Sequence, residues 1–473
     1  MSRGRHYIWL AAWFIVATTS SVTSSASAAE LGPSIDAVFA KWDTTTTPGC
    51  SVAAAKDGVT AHARGYGLAN IEHDVPNRAD TVIHIASVSK QFTAAAIGML
   101  ALERRLSLSD SVRKYVPELP AVTQPITIAH LVHHTSGLKD FSDLMDVAGW
   151  RYYQDLVTTE DAMSVLVKHR SLWFEPGSRY QYNNSNYLLL GVIVKRITGS
   201  SLRDFARERI FEPLGMRDTQ FRDHFAQIVP RSASGYSPTA DGFETSLTNF
   251  STDGYSSVLT TVQDLMKWEE NWYSAKVGGR ALFDLMLTRA PLNDGSPNKY
   301  AFGVVVDSYR GLQIVEHSGG DAGYASHLLR FPERHVSVAV LCNANNAGAH
   351  ELALRTAEVV LGLQAEAAKP KPAPAAKPAM SSRALTAAEL QRYVGTYRSD
   401  EIDAPFRVDV VDGRLELRSI KFKAALSQSA DNTFKAGWHE VAFDITKGGA
   451  VTGFRLGSAQ YPLAHFTLVN TVH

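Results

Sequence analysis

Ser87 and Lys90 stand three residues apart in Ser87-Val88-Ser89-Lys90. In a helix that spacing puts both side chains on one face, where an amine can take the proton of a hydroxyl that is otherwise a poor nucleophile. The context predicts such a helix, because Gln91 to Leu102 is rich in helix formers and free of proline. Ser87 is then expected at or near the helix N-terminus, where unpaired N–H groups and the helix dipole favour an oxyanion and disfavour a protonated lysine. Bringing Lys90 from its ordinary pKa to about 7 costs roughly 4 kcal/mol, which only burial and cationic neighbours can supply. Taken alone, S-x-x-K is equally the start of an ordinary helix with an exposed lysine.

Two further words narrow the choice. Tyr182-Asn183-Asn184 lies between the turn signal Pro176-Gly177 and the apolar run Tyr187 to Val194, which reads as a buried helix. A loop there can aim a phenol and a carboxamide into a cleft, although a packing tyrosine and a helix-capping Asn184 would look the same. His317-Ser318-Gly319-Gly320 follows the β-like stretch Gln313 to Glu316, so His317 is expected at a strand end. The glycines let a substrate approach the backbone. Gly320 N–H and Ser87 N–H are the candidate donors of an oxyanion hole. Together the three words describe an active-site serine hydrolase.

Roughly residues 33 to 363 resemble the serine β-lactamase and penicillin-recognising peptidase superfamily. The likeness is to the branch shared by class C β-lactamases, D-alanyl-D-alanine carboxypeptidases, D-aminopeptidases and related esterases. Ile126 to Leu138, with His134-Thr135-Ser136-Gly137-Leu138, resembles the branch's H-T-S-G-L loop. Pro176-Gly177 with Tyr180, Tyr182 and Asn184 resembles its P-G-x-x-F-x-Y-S-N stretch. The resemblance implies acylation of Ser87, with Lys90 and Tyr182 sharing the proton work and either one as formal base. It also implies that Asn184, His317, Ser318 and Gly319 bind substrate. Where many relatives carry K-T-G, this chain has His317-Ser318-Gly319, a variant that resembles D-aminopeptidases and some esterases. A histidine of pKa about 6.5 is mostly neutral at pH 7, so carboxylate-anchored substrates such as penicillins should be held less well. If the charge of His317 anchors a carboxylate, activity on such substrates should rise below about pH 6.5.

The implied fold is α+β: an antiparallel sheet flanked by helices, with a helical subdomain inserted and the site between them. Lys56-Asp57-Gly58 reads as the turn of a first hairpin, and later strands near 301–306, 312–316, 326–331 and 335–341 complete the sheet. In that fold the strands that begin at Cys50 and end at Cys342 are antiparallel neighbours. A Cys50–Cys342 disulfide is therefore implied by the resemblance, with two buried free thiols as the alternative.

The organisation of the 473 residues follows from composition. Arg3, Arg5 and His6 precede the apolar run Tyr7 to Ala17 and a small-residue cleavage site, so residues 1–29 read as a secretory signal and the product as exported, periplasmic or secreted. The run is too short for a comfortable membrane span. Residues 30–364 form the hydrolase domain, and 365–382, with Lys369-Pro370-Lys371-Pro372, a semi-stiff linker. Residues 383–473 read as a small antiparallel β-barrel-like domain, with a hairpin around Asp412-Gly413. Its start, Arg392 to Tyr397, resembles accessory domains of this enzyme branch. A formal net charge of zero and 20% charged residues give no basic stripe for nucleic acid.

No cofactor is expected, and no metal. His130, His133 and His134 have no carboxylate or cysteine at ligand spacing. A G-x-S-x-G elbow is absent from the sequence, which argues against an α/β-hydrolase. The expected substrates are D-amino-acid peptides, peptidoglycan stems or related esters and amides. The rival expectation is a β-lactam- or peptidoglycan-binding sensor with little turnover.

Overall fold

The computed structural model describes residues 1, 28–151, 153–363, 385–437, 439–457 and 462–469. Nearly all of the expected signal segment and the whole expected linker lie outside them.

A hairpin opens the main sheet. Strands β1 (Cys50–Lys56) and β2 (Val59–Tyr66) turn through Asp57 and Gly58, with φ of 52° and 77°. Positive φ at both central residues gives the turn whose twist matches that of the flanking strands. Four more strands follow much later: β3 (Val305–Tyr309), β4 (Leu312–Asp321), β5 (Tyr324–Phe331) and β6 (Val336–Cys342). Their order is β3-β4-β5-β6-β1-β2, antiparallel throughout. β1 and β6 are interior strands, and Cys50 faces Cys342 across them. The two are joined in a disulfide.

Strand alternation divides the sheet's two faces between two cores. Val52, Ala54, Val338, Val340 and Ile314 point to one face, where helices α1 (Ala28–Phe39) and α5 (Ala349–Leu361) cover them with Ile35, Phe39, Leu352 and Ala357. Ala53, Ala339, Leu341 and Val315 point to the other, into the core of the helical unit. That unit includes α2 (Lys90–Leu102), α3 (Asn184–Thr198) and α4 (Val262–Ser274). The α2 residues from Lys90 to Leu100 are all buried. Phe92 packs 4.9 Å from Trp268 and 5.1 Å from Phe211, ring centre to ring centre.

β4 runs further than its sequence suggests. His317 sits inside the strand rather than at its end, because Ser318, Gly319 and Gly320 continue the ladder opposite His327, Ser326 and Ala325 of β5. On the other edge, β3 accompanies β4 only from Leu312 to Glu316. From His317 onward that edge has no strand beside it among the described residues.

After the hydrolase unit, nine antiparallel strands among the described residues between Gly395 and Val469 wind into a nearly closed barrel-like sheet. Tyr397, Phe406, Phe443, Phe454 and Phe466 fill it. Its core continues into the helical unit through Leu144 and Val147. Polar contacts reinforce the junction: Lys139 to both carboxylate oxygens of Glu401 at 2.7 and 2.8 Å, and Trp173 Nε1–H to the Pro462 carbonyl at 3.0 Å. No helix among the described residues is long and apolar enough to cross a membrane.

Candidate active site

Ser87 lies on a short 3-10 turn, Ala86–Ser89, that feeds directly into α2. The residue before it, Ala86, has φ of 47°, a costly conformation for a side chain with a Cβ. Neighbouring strands hold the turn in place. Ser326 Oγ donates to the Ile85 carbonyl at 2.7 Å, and Ile85 N–H donates to the Val258 carbonyl at 3.0 Å. Gly319 lies so close that an added Cβ would stand 2.3 Å from the Ile85 oxygen. Its place in the site is therefore to let β4 approach the serine turn.

Lys90, in the first turn of α2, is wholly buried. Its Nζ is 3.0 Å from Ser87 Oγ, 3.0 Å from Asn184 Oδ1 and 2.8 Å from the Tyr255 carbonyl. Burial lowers its pKa to about 7, against the opposing pull of the Asp140 and Asp321 carboxylates. At neutral pH a large fraction is thus an unprotonated amine beside the serine, where an ordinary lysine would offer only about one in 2500.

Tyr182 faces the same pair. Lys90 Nζ lies 4.7 Å from its ring centre, and its shielded hydroxyl has the Ser87 side chain as its hydrogen-bonding neighbour. Desolvation raises its pKa well above the ordinary value, with Ser87 partly offsetting the rise. Tyr182 is a phenol at neutral pH. Asn183, not Asn184, caps α3, accepting from Ser185 N–H at 2.8 Å. That leaves Asn184 to hold Lys90.

His317 reaches the site's aromatic wall. Its Nε2 accepts from the Tyr300 hydroxyl at 2.9 Å, and its Nδ1–H donates to the Ser318 carbonyl at 2.6 Å. Burial, and next the charge of Lys90, lower its pKa to about 3. The ordinary value of about 6.5 assumed for His317 is thus corrected downward, and the conditional case in which its charge anchors a carboxylate gains no support. It is a neutral imidazole throughout the working range.

Ser318 requires a second correction. It alternates away from His317 and Gly319 onto the face covered by α5, and its Oγ lies 2.9 Å from His327 Nδ1. The period of two that brings His317 to the site carries Ser318 away from it. Gly320 stands exposed on the unaccompanied stretch of β4, with open space where a Cβ would be.

Asp140, His84 and Asp321 escaped the sequence reading, and His134 was read only as part of the His134 to Leu138 loop. Asp140 caps the helix Phe141–Val147, accepts from Asn184 N–H at 2.5 Å and acts electrostatically on Lys90. His134 packs 4.4 Å from Tyr182 and 4.5 Å from Tyr300, and its Nδ1 accepts from Asn183 N–H and Asn186 Nδ2. His84 Nε2 lies 3.1 Å from Asp321 Oδ2, and Asp321 Oδ1 makes no hydrogen bond. Of the three that escaped, Asp140 carried a readable signal, as an N-cap candidate just after the His134 to Leu138 loop. His130 and His133 serve other ends: His130 Nδ1 accepts from Thr127 N–H, and His133 bonds the Tyr300 carbonyl.

A half-buried serine and tyrosine around a buried lysine, between an antiparallel sheet and a helical unit, define a serine hydrolase of the β-lactamase type. Residues 35–361 match the Beta-lactamase family, and the chain belongs to it. Residues 380–467 match a domain of unknown function (DUF3471). A penicillin-binding protein of Bacillus subtilis is 29% identical over 371 residues, covering 73% of this chain and 78% of its own length. A D-aminopeptidase of Gluconobacter oxydans is 26% identical over 408 residues, covering 85% and 73%. Among solved structures, an octameric penicillin-binding protein homologue from Pyrococcus abyssi matches 93% of this chain and 99% of its own, with TM-score 0.62 and 22% identity. The D-amino acid amidase of Ochrobactrum anthropi SV3 matches 70% and 99%, with TM-score 0.59 and 22% identity. These two structural likenesses speak for the fold.

Proposed function

We propose that this protein is an exported hydrolase that forms an acyl-enzyme on Ser87 and cleaves amides or peptides whose acyl group is a D-amino acid with a free ammonium. The observation that carries the proposal is Lys90, buried 3.0 Å from Ser87 Oγ with its pKa lowered to about 7. Neutral Lys90 takes the serine proton as Ser87 attacks the carbonyl. Tyr182 then relays that proton from the Lys90 ammonium to the leaving nitrogen, giving up its own and regaining one from Lys90, so that it ends as a phenol and Lys90 as a neutral amine. The N–H groups of Ser87 and Gly320 receive the oxyanion, and the open edge of β4 offers backbone pairing to an extended substrate. Water releases the acyl group by the reverse use of the same groups.

Charge favours an ammonium over a carboxylate. The two charges acting on Lys90 are carboxylates, Asp140 and Asp321, and His317 is neutral where K-T-G relatives present a lysine. The names of the D-aminopeptidase relatives support the same choice. Export is supported by the disulfide, which persists in oxidising compartments.

The test is steady-state hydrolysis of D-alanine p-nitroanilide, p-nitrophenyl butyrate, a D-Ala-D-Ala peptide and nitrocefin, with Ser87→Ala as control. Turnover of the D-alanine anilide that vanishes in Ser87→Ala is expected. Covalent labelling by a fluorescent penicillin without turnover of any substrate would replace this proposal with the sensor reading.

A further inference from the structure

On the sheet face turned away from Ser87, three side chains with no part in the acyl chemistry converge: Glu316 of β4, His327 of β5 and His350 in the first turn of α5. Glu316 Oε2 lies 3.1 Å from His327 Nε2 and 3.6 Å from His350 Nε2. One donor atom from each lies within 4.8 Å of the others. The two imidazole rings meet edge to face, 4.7 Å between centres.

These spacings suit a metal ion. Tetrahedral zinc with ligand bonds of about 2.0–2.1 Å holds its ligand atoms about 3.4 Å apart, and 3.1 and 3.6 Å bracket that distance. The donor set of two imidazoles and one carboxylate is one that zinc accepts in three-ligand sites. His327 is also oriented from behind: its Nδ1 is engaged by Ser318 Oγ at 2.9 Å, leaving Nε2 to face Glu316. A hydrogen bond to the far nitrogen is the usual support of a metal-bound histidine. Access is graded, since the His327 side chain is 1% exposed, Glu316 16% and His350 52%. The open side gives an ion its way in and leaves room for water as a fourth ligand.

We propose that Glu316, His327 and His350 form a binding site for a zinc-type divalent cation. The ion ties the N-terminus of α5 to β4 and β5, directly behind the strand whose outer edge carries His317 to Gly320. Sequence spacing conceals the set, because its members lie on three different elements and only the sheet brings them together. The site is independent of the proposed substrate, so its test does not depend on turnover.

The test uses untagged full-length protein, stripped with a chelator and dialysed, then titrated with ZnCl2 by calorimetry and assayed for metal after gel filtration. One zinc per chain is expected, with micromolar or tighter affinity and a raised thermal midpoint. H350A should lose at least tenfold in affinity while keeping the metal-free midpoint, since His350 is half-exposed. Ser318→Ala should weaken binding by about 10- to 100-fold through the orientation of His327. Absence of zinc binding by the parent chain, or H350A binding as the parent does, overturns the proposal and leaves Glu316 a partner in an ordinary ion-pair cluster.

Discussion

Lys90 gives the site a signature in pH. Its folded pKa is lowered to about 7, and the form that accepts the serine proton is the unprotonated one. The kcat/KM for a neutral ester should therefore rise with pH, reach half its plateau near pH 7 and level off above it. Replacing Lys90 by arginine keeps a charge but removes the titratable base, so the rise should disappear and the rate should fall about 10²- to 10⁴-fold. His317 adds no second limb, because its pKa is lowered to about 3. The ratio of D-alanine anilide to butyrate ester turnover should thus owe nothing to His317 between about pH 5.5 and 8. Parallel pH profiles for parent and His317→Gln would confirm this. The serine, lysine and tyrosine words were legible because helical spacing and loop position are local properties. The protonation state of His317 was not, since it depends on burial and on Lys90, residues away in the chain. Ser318 was misplaced because a motif read as a block ignores the alternation of a strand.

Between elements, the contact that matters most joins the barrel to the hydrolase. Lys139 and Glu401 form a buried pair 262 residues apart, and Glu401 Oε1 also accepts from Arg170 N–H at 2.6 Å. Lys139 is followed by Asp140, which holds the N-terminus of α3 through Asn184 N–H, while Ser185 Oγ donates to the Lys139 carbonyl. The barrel thereby steadies the segment that aims Asn184 at Lys90. Glu401→Ala strands a buried ammonium and should cost about 3–5 kcal/mol in denaturant melts. The double change Lys139→Met/Glu401→Leu should recover most of that loss. Gly319→Ala tests another junction. Its Cβ would meet the Ile85 oxygen at 2.3 Å, so β4 must move off the serine turn and turnover should fall with Ser87 chemically intact. The hairpins at Asp57-Gly58 and Asp412-Gly413 were readable from two residues each. The docking of barrel on helices was not, because neither Lys139 nor Glu401 carries any local mark of a partner so distant.

At the scale of the molecule, the hydrolase unit is a closed covalent loop. Cys50 and Cys342 are separated by 292 residues, and both are fully buried. The chain-entropy account assigns a loop of that length about 5–6 kcal/mol, and removing a native disulfide typically costs about 2–5 kcal/mol. Cys50→Ala/Cys342→Ala should unfold at correspondingly lower denaturant, read by circular dichroism, with the same change produced by reducing the parent. The same strand pairing bears on how the molecule is made. At about 5–20 residues per second, β1 leaves the ribosome roughly 15–60 s before β6. During that interval the β1–β2 hairpin has its inner edge unpaired, and Val52 and Ala54 have the cover of α1 but not yet that of α5. An unpaired apolar edge is a template for the wrong strand, so the β1–β2 hairpin stays open to mispairing until its last sheet strand arrives.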